Sequence, residues 1–111
     1  MTYQAVTAAL SATGIPVTYG RKPTDAVPPY IVWMTRRGDA IAADGLTICV
    51  DNIAEVHLIE AKRRDFAAEA LIETALDGLG VSWEREDVYD EEQKLAETVW
   101  GFSFDFGRSD V

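Results

Sequence analysis

The stretch LTICVDNIAEVHLI, Leu46 to Ile59, decides the fold of this chain. Leu46, Ile48, Val50, Ala54, Val56 and Leu58 share one face of an extended strand, interrupted only by Asn52. Thr47, Asp51, Glu55 and His57 lie on the other face with Ile53 and Ile59. A period of two with one apolar side is the mark of a strand that packs on a core. Fourteen such positions would extend roughly 45 Å at about 3.3 Å per residue. A strand that long overhangs the sheet of a small domain. Either it is bulged near Asp51-Asn52 or its early part projects. The polar, glycine-containing segment Arg36 to Gly45 just before it reads as a long hairpin arm, which favours a bend with a projecting arm.

Upstream, Tyr30-Ile31-Val32-Trp33-Met34 is a β-branched and aromatic strand. The loop Gly20 to Pro29 carries Pro23, Pro28 and Pro29, which end regular structure. Ile15 to Tyr19 predicts a short strand whose Pro16 places it at an edge or a strand start. Residues 2–13 predict a helix, with Tyr3, Val6 and Leu10 on one side and Gly14 just past its end.

Downstream, Lys62-Arg63-Arg64 forms a basic corner, and Asp65 is placed to cap a second helix running to about Leu79. Ala68, Leu71, Ile72, Ala75, Leu76 and Leu79 recur at helical spacing and are expected to face the sheet. Val81 to Glu84 begins another strand, the acidic segment Glu86 to Glu92 is expected to turn the chain, and Leu95 to Phe106 is the last strand. Its Trp100, Phe102, Phe104 and Phe106 share a face. The predicted order is α-β-β-β-α-β-β over a single domain, residues 1–111. That is an α+β fold: a mostly antiparallel sheet, two helices packed on one side, and a projecting hairpin arm.

Composition narrows the function classes. Hydrophobic residues make up 48% and charged residues 26%, the balance of an ordinary folded domain. No apolar run approaches the roughly 20 residues of a membrane span, so no membrane partner is expected. The first residues, Met1 to Ala5, lack a basic stretch leading into an apolar one, so no secretory leader is expected either. Cys49 is the single cysteine, cannot form an internal disulfide, and fits a reducing cytoplasm. With 10 Lys+Arg against 19 Asp+Glu the formal charge is −9, which repels phosphate backbones. Arg21-Lys22, Arg36-Arg37 and Lys62-Arg63-Arg64 are small basic groups in acidic surroundings, read as solvated loop charge or as salt-bridge partners of another protein.

Catalytic patterns are sparse. His57, the only histidine, has Glu55 and Ile59 as same-face neighbours but no serine or cysteine nucleophile beside it. Cys49 lies eight residues away and reads as a packing residue. One His and one Cys do not build a zinc site, and Asp39, Asp44 and Asp51 do not match the spacing of a calcium loop. The acidic cluster Glu86-Asp87 and Asp90-Glu91-Glu92 reads as a solvated turn, and the glycines are isolated. The expectation is no catalytic residues, no metal and no cofactor.

Several words of the sequence, taken in order, resemble a family of small tail proteins of tailed bacteriophages and prophages. They are Thr13 to Tyr19, Pro28 to Ile31, Ala43-Asp44-Gly45, Glu55 to Glu60, Lys62 to Asp65, Glu69 through Leu76, Trp83-Glu84, and Tyr89, Glu91, Glu92, Lys94-Leu95 and Glu97. Ile48 and Ala96 stand where aromatics are usual in that family, and Cys49-Val50 is more apolar than its arm. The resemblance implies a tail terminator, or tail completion protein, in the virion at the head-proximal end of the tail. Such proteins form a ring, typically a hexamer, that caps the tail tube, stops its growth and offers a surface for head attachment. The implied partners are other copies of the chain, which is either assembled or monomeric in isolation, the tail tube protein and head–tail connector proteins. Duplex DNA would pass through without specific binding.

The residues offer two unlike patches for such a ring. Glu69, Glu73 and Asp77 form an i, i+4, i+8 acidic stripe whose like charges repel mildly, so it is not there for the helix itself. Facing the basic corner Lys62, Arg63 and Arg64 of a neighbour, it would set subunit register. Arg36, Arg37, Asp39 and Asp44 are the candidate contacts of the arm. The alternatives are another head–tail connector or neck component and, from a different class, a small α+β ligand-binding domain or enzyme seeded on His57 and Glu55.

Overall fold

Alternation along the long strand is realised in a five-stranded sheet. The computed structural model describes residues 2–22, 26–43, 46–61 and 65–104, and side chains throughout these except at 37–43, 46–52 and 104. Its elements are α1 (Tyr3–Ser11), β1 (Val17–Tyr19), β2 (Tyr30–Ala43), β3 (Leu46–Ala61), α2 (Phe66–Gly78), β4 (Trp83–Asp90) and β5 (Leu95–Phe104). The strands lie in the order β1-β2-β3-β5-β4, antiparallel throughout except for the parallel pair β1–β2. The fold is α+β, with the element order read from the sequence.

Both helices start on capping side chains. Thr2 Oγ1 accepts a hydrogen bond from the Ala5 amide at 2.9 Å, and Asp65 Oδ1 accepts from the Ala67 amide at 2.9 Å. Each satisfies an amide that the first turn of a helix leaves without a partner. Behind Asp65, the buried Glu60 accepts from the Asp65 amide at 2.7 Å and so closes the corner between β3 and α2. A carboxylate there also complements the positive end of the helix.

Ala54, Val56 and Leu58 of β3 are fully buried and pack with Ile31 and Trp33 of β2 and with Trp100 and Phe102 of β5. Val6 and Leu10 of α1 and Ala68, Ile72 and Leu76 of α2 cover this side and complete the core. Each fully buried Val, Leu or Ile stabilises the fold by roughly 1.5–3 kcal/mol. Tyr3, Tyr19 and Trp33 cluster at the β1 edge, Tyr19 edge-on to both Tyr3 and Trp33, with Tyr19 and Trp33 centroids 4.7 Å apart. The indole of Trp33 donates to Thr7 Oγ1 at 3.1 Å.

Ile53, Glu55, His57 and Ile59 of β3 point to the opposite side and are only half-buried, as are Glu97 and Val99 of β5. Among the described residues no helix covers this side. Strand β5 pairs with β3 from Asn52 to Ala61 among the described residues, and Leu46, Thr47, Cys49 and Val50 pair with β2. The end of the last strand expected at Phe106 lies outside the described residues. Two register shifts bend the hairpin. Three steps of β2, Arg37 to Ala40, stand opposite two of β3. Then one step of β2, Ile41 to Ala42, stands opposite two of β3. The register is thus irregular opposite Asp51-Asn52, the place considered for a bulge, but the first extra residue belongs to the partner strand.

Two local expectations are corrected. Leu71 is 49% exposed, and α2 instead buries Glu69 beside Ala68, Ile72 and Leu76. At about 100° per residue, Leu71 lies more than a quarter-turn from the centre of that stripe and Glu69 falls inside it. The acidic segment does not turn the chain at Glu86. Strand β4 continues through Glu86, Asp87 and Asp90, and the turn occupies Glu91 to Lys94. Asp90 Oδ1 accepts the amides of Glu92 and Gln93 to close that turn. The acids instead line a sheet edge, where charge hinders further strand pairing.

Candidate functional site

The acidic stripe of α2 is engaged inside the chain. Arg85, on the helix side of β4, donates through Nη2 to Glu69 Oε1 at 2.5 Å and through Nη1 to Glu73 Oε2 at 3.2 Å. Its Nε donates to Asp87 Oδ1 at 3.1 Å, and its guanidinium carbon lies 5.7 Å from the centre of the Trp100 ring. Thr98, fully buried on β5, donates to the same Glu69 oxygen at 3.2 Å. One turn further along, Trp83 Nε1 donates to Asp77 Oδ1 at 3.0 Å. The three acids therefore form a seam that fastens the edge strand β4 to α2.

For Glu69 this corrects the role read from the sequence. Glu69 is 2% exposed and so is withdrawn from a subunit surface, whereas Glu73 and Asp77 remain partly or fully exposed while holding partners on β4. Lys62, Arg63 and Arg64 lie outside the described residues. Of the arm candidates, Arg36 is well exposed, with its Nε 4.0 Å from Glu55 Oε2. Arg37 and Asp39 are placed only as backbone positions of β2, and Asp44 lies outside the described residues.

The helix-free side of the sheet gathers the remaining polar chemistry. In register across three strands lie Glu55, Gly101 and Glu84, then His57, Val99 and Glu86, then Ile59, Glu97 and Val88. Val32 pairs with His57 from β2, and Met34 pairs with Glu55. His57 Nδ1 is hydrogen-bonded to Glu97 Oε1 at 2.5 Å, while its Nε2 faces Glu55 Oε2 at 3.9 Å. Nε2 itself is buried and makes no hydrogen bond among the described residues. The His57–Glu97 hydrogen bond ties β3 to β5 on this face. Among the described residues no hydroxyl or thiol is bonded to the imidazole.

Sequence reading found His57 and Glu55 by their parity on one strand. It missed Glu97, whose contact depends on the β3–β5 register across a separation of 40 residues. It also missed Arg85, which carries no local signal beyond a cation within an acidic run. No protein-family model matches the chain, and no curated protein is significantly similar to it in sequence.

Proposed function

We propose that the chain is a structural protein of a tailed bacteriophage or prophage, a tail terminator that closes the tail tube as a ring. One observation carries the reading beyond the ordered resemblance of its sequence words. Among the described residues the sheet has helices on one side only, and its β2–β3 hairpin extends past the part of β3 that pairs with β5. Tyr30 and Val32 are buried at the β2 end of the other face. Its β3–β5–β4 part is apolar and charged, with Ile53, Glu55 and Val99 half-buried and Glu84 exposed, and among the described residues no helix lies over it. Surfaces of that kind are suited to association with other chains. Two unlike surfaces on one subunit, the open face and the arm, are what a heterologous contact needs to close into a ring.

The acidic balance suits a conduit, because every phosphate contact in the lumen would retard passing DNA. Duplex DNA is expected to remain unbound in a mobility-shift titration at moderate salt. The decisive experiment is polymerisation of the matching tail tube protein with and without the purified chain, followed by electron microscopy. The expected result is tubes of arrested length bearing a ring at one end. Tubes that grow unchecked and carry nothing at either end would overturn the proposal. A ring found only on DNA-filled heads would move the protein to the neck.

A further inference from the structure

The open sheet face contains one position without a side chain. Gly101 of β5 stands in register between Glu55 of β3 and Glu84 of β4. Adjacent strands are about 4.8 Å apart, which sets these two carboxylate-bearing residues about 10 Å apart across a floor of bare backbone. A Cβ placed on Gly101 would meet only the Ala54 carbonyl oxygen, at 4.0 Å. The position is therefore a trough rather than a filled contact. Ile53 and Val99 wall it with half-buried apolar surface, and Glu86 follows Glu84 along its outer rim. Arg36, its Nε 4.0 Å from Glu55, and Arg85 also line it, so among the described residues the unneutralised acids lie on the Glu84 side.

A trough with apolar walls and carboxylates on opposite rims fits a long cationic side chain. Its methylene stem lies on Ile53 and Val99 while its head reaches the acids. The chain carries 10 Lys+Arg, of which Arg85 is already committed to Glu69 and Glu73. Its densest cationic run is Lys62-Arg63-Arg64. Two copies, each at −9 overall, repel unless such a run meets a concentrated acidic face, so matched charge fixes which surfaces come together.

We propose that the Gly101 trough on the open sheet face of one subunit receives the Lys62-Arg63-Arg64 segment of a second copy. The inference rests on the ring reading above and names its contact. It replaces the helix stripe, whose Glu69 is buried, with Glu84 as the principal acceptor and Glu55, which also faces Arg36, as the second.

The test is a charge-swap series, Glu84→Lys, Arg63→Glu with Arg64→Glu, and all three together. Each is followed by sedimentation velocity alone and by tube capping with the matching tail tubes. A further variant, Gly101→Leu, fills the trough without changing charge. Each reversal alone should weaken assembly about tenfold or more, and the combination should recover most of the loss. Gly101→Leu should also impair assembly, with thermal unfolding and circular dichroism reporting an intact fold. Reversals that assemble like wild type, or a combination no better than either alone, would overturn the trough contact while leaving the ring intact. Loss of capping by Glu84→Lys with no effect of the arginine reversals would assign the trough to a cation of the tube protein and overturn the second copy as its occupant. A wild-type chain that neither self-associates nor caps tubes would overturn the ring reading and the contact together.

Discussion

The two faces of the sheet are made by the same strands and differ in what covers them. On the helix side, Ala54, Val56, Leu58, Trp100 and Phe102 are buried under α1 and α2. The one acid of α2 that enters that layer, Glu69, is met by Arg85 and Thr98. On the other side, Ile53, Ile59 and Val99 are half-buried, and Glu55, Glu84, Glu86 and Glu97 stand among them, Glu55 beside Arg36 and Glu97 hydrogen-bonded to His57. The comparison separates residues that hold the monomer together from residues available to a partner. Substitutions on the first face should act on folding. Substitutions on the second should act on assembly.

The largest effects belong to the covered face. Trp100→Ala empties a fully buried site beneath Arg85 and should lower unfolding free energy by about 3–5 kcal/mol in urea titration. For a domain of ordinary stability that is a large fraction of the total. Arg85→Met leaves Glu69 buried without its cation and should destabilise by about 3 kcal/mol or more. Adding Glu69→Leu to Arg85→Met should restore most of that stability, because the cost lies in the uncompensated charge rather than in the absence of the pair. A double variant as unstable as Arg85→Met would show that the seam acts through something other than charge.

Smaller effects sharpen the comparison. Asp65→Ala removes the cap of α2 and should cost about 1 kcal/mol, seen as a lower urea midpoint at unchanged slope. Val99→Thr on the open face should change monomer stability by only about 0.5 kcal/mol, with its consequence falling on assembly. If Val99→Thr destabilised the monomer as strongly as Trp100→Ala, the distinction between the faces would be lost.

Much of this architecture was legible in the sequence, for physical reasons that particular residues make plain. The alternation from Ile53 to Ile59 specified both faces, since a one-residue slip would have exposed Val56 and Leu58. Asp65 announced its helix because an N-cap acts through local geometry. What escaped reading depends on partners distant in sequence. Glu69, with Glu73 and Asp77, has the spacing of a solvent stripe, and only the placement of Arg85 and Trp83 on β4 turns it inward. Glu86 and Asp87 look like turn residues until β5 is seen to pair with them. The trough at Gly101 was invisible for the same reason, because its rims come from two other strands.

The most direct measurement is a cryo-electron microscopy reconstruction of the matching tail tubes capped by this chain, at a resolution that traces strands. It should show the β3–β5–β4 face, with Glu55, Gly101 and Glu84, pressed against the next copy. A capped tube in which that face touches no neighbouring subunit would contradict the assignment of the uncovered sheet to assembly.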